Sequence, residues 1–115
     1  MQEGTEDERQ VRAGRNQSMF RAANERLKDL NDAFGGLNGT YAIACECADT
    51  SCLATIEIHP DEYESMRESS YRFAVLPGHV YLDVERVVAE RDAYVVVEKF
   101  AAAAEVAAAN DPRRV

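Results

Sequence analysis

All three cysteines of this chain fall within eight residues, Cys45-Glu46-Cys47-Ala48-Asp49-Thr50-Ser51-Cys52. The spacing C-x-C-x4-C suits a tight loop that offers three thiolates to one soft cation, and structural zinc takes four ligands. The fourth ligand has to come from elsewhere, and the chain has two histidines. His59 stands seven residues past Cys52, on the opposite face of the strand expected there, and precedes Pro60. His79 directly follows Pro77-Gly78, a turn that presents a side chain from a fixed backbone. The expected metal ligands are therefore Cys45, Cys47, Cys52 and His79, with zinc as the ion because thiolate and imidazole together suit it. Asp49, a water or a residue of another chain are the alternatives for the fourth place. An iron–sulfur cluster usually asks for four cysteines. A redox pair of Cys45 and Cys47 is the other chemistry open to these thiols.

Catalysis is less well supplied. A catalytic zinc keeps an open coordination position, which a closed Cys3His set lacks. Glu46 lies between two of the ligands, but on a strand its side chain points away from the sulfurs, and an exposed acid on the outer face is expected. No nucleophile elbow, phosphate-binding loop, zinc-protease helix or dinucleotide fingerprint occurs. The reading leans away from an enzyme, and no catalytic residue is assigned.

The elements that must position the thiols follow from pattern. Tyr41–Cys47 and Leu53–His59 read as a hairpin closed by Ala48-Asp49-Thr50-Ser51, short polar residues that bond to their own turn. Side chains two apart on a strand share a face, so Cys45 and Cys47 can reach one ion. Val84–Glu90 and Tyr94–Lys99 read as a second, valine-rich hairpin turning at Arg91-Asp92-Ala93. A short helix opens at Pro60 with Tyr63 and Met66 inward, a short strand spans 72–76, and an alanine-rich helix covers 100–110.

Before them comes a long helix, from about Glu6 to Phe34, stopped by Gly35-Gly36. Phe20, Ala23, Leu27, Leu30 and Phe34 recur at steps of three and four and form one stripe. The stripe is expected to pack on the domain's own sheet, with pairing to a second copy or a partner helix as the alternative. Gly14 weakens the first half of this helix. Residues 1–15 are accordingly expected to be a flexible, acidic then basic extension, and residues 16–112 a single domain.

Composition agrees with a globular protein. The chain has 115 residues, 46% hydrophobic and 30% charged, enough for one core. Its net charge of -8 is unevenly spread. Residues 9–28 hold five arginines and one lysine against Glu25, whereas residues 40–111 hold 14 acids against 5 bases. An acidic body repels phosphate, so nucleic acid is not an expected partner. No apolar run reaches the ~20 residues that span a bilayer, and the acidic N-terminus is unlike a secretory signal. A reducing, cytoplasmic setting is expected for the clustered thiols.

The run Cys45–Cys52, Pro77-Gly78-His79, Glu85-Arg86-Val87-Val88, Tyr94–Lys99 and Asp111-Pro112-Arg113 resembles a group of uncharacterised small bacterial proteins, mainly actinobacterial. The likeness extends from about Phe20 to Arg113 and is most specific in C-E-C-x4-C and P-G-H. This chain departs from the group in its Ala102–Ala109 run and at His59. The resemblance implies a shared fold and metal site, and no activity.

The expectation is an α+β fold clamped by zinc, with a long N-terminal helix, two β-hairpins forming a small antiparallel sheet, a short middle helix and a C-terminal helix. The function expected of it is that of a non-enzymatic regulator or adaptor that binds another protein. A redox- or metal-responsive switch using the same cysteines is the alternative, and an open-site metalloenzyme a weaker one.

Overall fold

A computed structural model describes residues 6–33 and 39–113 of the chain. Its elements run α1 (Glu6–Ala33), β1 (Tyr41–Ala44), β2 (Thr55–Ile58), α2 (Pro60–Met66), β3 (Arg72–Val75), β4 (Glu85–Glu90), β5 (Val95–Lys99) and α3 (Ala101–Ala109). The fold is α+β, as expected. The strands form two small antiparallel sheets, β1-β2 and β3-β5-β4. β5 is the central strand of the larger one, and Val95, Val96, Val97 and Lys99 are all buried. The hairpin β4-β5 carries an irregularity between Val87 and Ala89.

The two sheets are stitched together where β1 ends. Cys45 N–H still donates to Ala54 of the β2 side at 3.0 Å, but Glu46 N–H turns to Ala74 O of β3 at 2.9 Å. Apolar residues fill the space around this switch. Ile43, Ile56, Ile58, Tyr63, Met66 and Val96 form one cluster. Phe73, Val75, Val95, Val97 and Ala107 form another, which includes Cys45 and Cys47. Tyr63 and Met66 face inward from α2 as their positions suggested.

The long helix departs from expectation in the face it buries. The stripe of Phe20, Ala23, Leu27 and Leu30 does not pack on a sheet: Leu27 is 39% and Leu30 56% exposed, Ala23 is exposed and Phe20 half-buried. Met19 beside them is 62% exposed. Phe34 and Gly35-Gly36 lie outside the described residues. The buried face is instead Gln10, Ala13, Gln17, Arg21 and Asn24. The reason is what α1 covers. The outer edge of β1 and the segment after it present backbone groups that no strand pairs, and buried backbone groups need partners. Asn24 supplies both at Ala44, accepting from its N–H at 2.7 Å and donating to its carbonyl at 2.9 Å. An apolar stripe would have left these groups unsatisfied.

The first half of α1 is part of the fold. Residue 15, the expected boundary of an extension, falls inside the helix, and Gln10 and Ala13 are buried. Gln10 Oε1 accepts from Ala102 N–H at 3.1 Å, satisfying an otherwise open amide at the start of α3. Gly14 lets the two helices approach: a Cβ there would lie 3.0 Å from Val106 Cβ and 3.1 Å from Ala103 O. Below them, Arg67 bridges Glu25 and Asp111, whose carboxylate also accepts from Ser70 at 2.6 Å. This network ties α1, α2 and the chain after α3.

Candidate metal centre

The β1-β2 ladder stops at Ala44–Thr55, and the eight-residue cysteine loop closes over it. Asp49 makes the bend, accepting at one oxygen from Ser51 N–H at 2.9 Å and from the Ser51 hydroxyl at 2.6 Å. These bonds hold its carboxyl below the usual carboxylate range. Cys52 N–H returns to Asp49 O at 3.0 Å. Asp49 is thus spent on the turn and is not among the clustered ligand atoms.

His79 comes from the other sheet. Leu76-Pro77-Gly78-His79 is a tight turn, with His79 N–H donating to Leu76 O at 3.0 Å. Gly78 has φ +89°, the left-handed value that the third position of a type II turn requires, and Pro77 presets the position before it. The same turn contributes Leu76 N–H, which donates to Cys45 Sγ at 3.3 Å. Such a bond favours the thiolate.

The four expected ligands meet. One ligand atom from each of Cys45, Cys47, Cys52 and His79 lies within 4.8 Å of all the others. His79 Nδ1 is 3.7 Å from Cys45 Sγ and 3.6 Å from Cys52 Sγ. With Zn–S of about 2.3 Å and Zn–N of about 2.0 Å, a tetrahedral site has S···N edges of about 3.6 Å. These two edges match that geometry, and the four ligand atoms lie close enough together to hold one metal ion. Cys45 and Cys47 are buried, while Cys52 and His79 reach partial exposure. His59 stays apart, its Nδ1 2.7 Å from Gly39 O on the surface.

Electrostatics points the same way. Burial, with the neighbouring Cys47 and Cys52 sulfurs, pushes the Cys45 thiol up to about 12 against the pull of Leu76 N–H. Burial also raises Cys47. Cys45 and Cys47, crowded in apolar surroundings, resist ionisation, and a divalent cation supplies the charge that lets coordinated thiols deprotonate.

Glu46 corrects the sequence reading. It is fully buried, not an exposed acid on an outer face. Its carboxylate accepts from Arg21 Nε at 2.7 Å and from Ala74 N–H at 3.0 Å. A charge so enclosed must be paired, and Arg21, stacked 4.1 Å over the Phe73 ring, pairs it. With all its acceptor sites engaged, Glu46 is no general base. Arg21, Asn24 and Gln17 were missed as neighbours of the site. Their spacing of four and three residues is helical, but the competing apolar stripe concealed which face was inward.

The chain matches no family model, no curated protein and no solved structure.

Proposed function

We propose that this protein is a non-enzymatic, zinc-stabilised module whose Cys3His site clamps its two sheets, and that it acts by binding protein. The observation that carries the zinc reading is the meeting of Cys45, Cys47, Cys52 and His79 within 4.8 Å, drawn from the β1-β2 loop and the turn after β3. A cation here joins segments 27 residues apart in sequence, from Cys52 to His79, and its binding energy is folding energy. Four protein ligands fill a tetrahedral site and leave no position for substrate or water, which supports a structural role.

The binding surface we propose is the outer face of α1, where Met19, Ala23, Leu27 and Leu30 are exposed. The occupant we propose is a second copy. Paired antiparallel about Ala23, the stripe sets Met19 of one copy against Leu27 of the partner, each four residues from the centre, an isologous arrangement.

Reducing purification followed by metal quantification and sedimentation tests both parts. One zinc per chain and a dimer that Leu27→Asp dissociates are expected. A folded protein free of metal refutes the zinc reading, and a monomeric parent refutes the second copy as occupant.

One observation favours a second reading, a redox-responsive site. Cys52 is the least buried of the three cysteines, which favours it as the first to meet a peroxide. Two thiolates and two protons would reduce one peroxide to two waters, leaving a disulfide and a freed ion. Zinc retained under a peroxide titration that oxidises no thiol excludes this reading.

A further inference from the structure

Cys45 and Cys47 are two residues apart, about 6.6 Å along a regular strand, yet their sulfurs must come to about 3.8 Å to share one tetrahedral zinc. The residue between them has to hold the backbone in the required shape. At Glu46 every polar group is fixed. Its N–H donates to Ala74 O at 2.9 Å and its carbonyl accepts from Gln17 Nε2 at 3.0 Å. Its Oε1 accepts from Ala74 N–H at 3.0 Å and Arg21 Nη2 at 3.1 Å. Its Oε2 accepts from Arg21 Nε at 2.7 Å and Asn24 Nδ2 at 3.0 Å.

The contacts of α1 with this segment form a ladder. Asn16 donates to Ala48 O at 2.9 Å, Gln17 and Arg21 hold Glu46, and Asn24 holds Ala44. Residues 44, 46 and 48 face the helix, and alternation along an extended chain turns Cys45 and Cys47 to the opposite side. The helix grips one face of the segment whose other face carries two of the four ligands.

We infer that Glu46, held by Arg21 and Asn24, is the positioning residue of the metal site, and that docking of α1 and occupancy of the site are linked. The inference rests on the zinc reading above. It gives a physical reason for burying a full ion pair where an apolar pair would fill the space: bidentate Arg–carboxylate bonding fixes orientation as well as distance. Linkage is reciprocal, so the ion that gains affinity from a docked helix also strengthens docking.

The test uses the full chain, reduced, with cobalt(II) as a spectroscopic probe and zinc competition against a chromophoric chelator. Glu46→Gln keeps the size and an acceptor for Ala74 N–H while removing the charge. Asn24→Ala removes a grip without stranding a charge, and serves if Glu46→Gln does not fold. Either variant is expected to bind zinc about 10–100-fold more weakly, the usual effect of losing a partner behind the ligands. Each should also change the thiolate-to-cobalt charge-transfer and ligand-field bands. Arg67→Gln, in the Glu25–Asp111 network that does not touch Glu46, is expected to lower stability and leave those bands unchanged. Chelating zinc from the parent should speed amide exchange in α1 around residues 16–24. A parent that takes up no cobalt overturns the metal reading and this inference with it. A parent that binds, with Asn24→Ala equal to it in affinity and spectrum, overturns this inference alone.

Discussion

Replacing Lys99 by methionine should cost this domain a large share of its stability. Lys99 and Glu85 face each other across β4 and β5, both side chains wholly buried, with Nζ donating to Glu85 Oε1 at 2.5 Å. Burial pulls the Lys99 ammonium below its usual range, and the Glu85 carboxylate opposes that pull. Glu85 has further duties: Gln17 Nε2 donates to it at 2.9 Å, and so does Tyr81 N–H, two residues beyond His79. Lys99→Met keeps most of the apolar stem and strands the carboxylate. Breaking a buried pair from one side costs about 3–5 kcal/mol. A 115-residue domain has a total stability of about 6–17 kcal/mol at ordinary values per residue. The melting temperature should fall by on the order of 10–20 °C. Adding Glu85→Gln removes the stranded charge while leaving an acceptor for Tyr81 N–H, so the double variant should recover to within about 2 kcal/mol of the parent. Urea unfolding followed by circular dichroism, at one fixed excess of zinc, measures all three proteins on the same footing. A Lys99→Met protein within about 1 kcal/mol of the parent, or a double variant no better than the single, refutes the reasoning.

Other substitutions probe the site and its scaffold. Cys47→Ser should release zinc and destabilise the whole domain, and His79→Ala should weaken zinc binding far more than His59→Ala; chelator competition reads both, and equal effects of the two histidines would remove His79 from the site. Gly14→Ala gains about 1 kcal/mol of helix propensity but drives a methyl against Val106 and the Ala103 carbonyl, where overpacking costs about 1–3 kcal/mol. A net loss near 1 kcal/mol is expected in thermal unfolding, and a stabilised variant would show that α1 and α3 are not packed at contact distance. Asp111 tests acid stability. Burial alone would raise its carboxyl, but the bonds from Arg67, Ser70 and Arg113 N–H hold it well below the usual carboxylate range. A depressed carboxyl contributes stability above its unfolded value near 3.8 and loses it as pH falls through the folded value. Asp111→Asn should therefore be less stable than the parent at pH 7, with the gap closing below pH 4; a gap independent of pH contradicts the assignment.

Local chemistry explains what was legible in the sequence. The cysteine spacing, the Pro77-Gly78 turn and the valine-rich hairpin each carry their own geometry, so the meeting of Cys45, Cys47, Cys52 and His79 and most strand positions followed from a few residues. The orientation of α1 did not. Its face is chosen by backbone groups at Ala44, Glu46 and Ala48, left unpaired where β1 parts from β2, and that demand exists only once both sheets are placed. Hydropathy ranks Leu27 and Leu30 above Gln17, Arg21 and Asn24 for burial, and here hydrogen-bond satisfaction outranks it. Glu46 misled for the same reason, since its partner Arg21 lies 25 residues away. The helix also remains long enough to serve two surfaces, one polar and buried, one apolar and open.

The proposed zinc clamp is tested most directly by zinc K-edge X-ray absorption on the reduced protein. One zinc per chain is expected, with three sulfur neighbours at about 2.3 Å and one nitrogen at about 2.0 Å, and with loss of the nitrogen shell in His79→Ala. A spectrum without three sulfurs, or one that His79→Ala leaves unchanged, contradicts it.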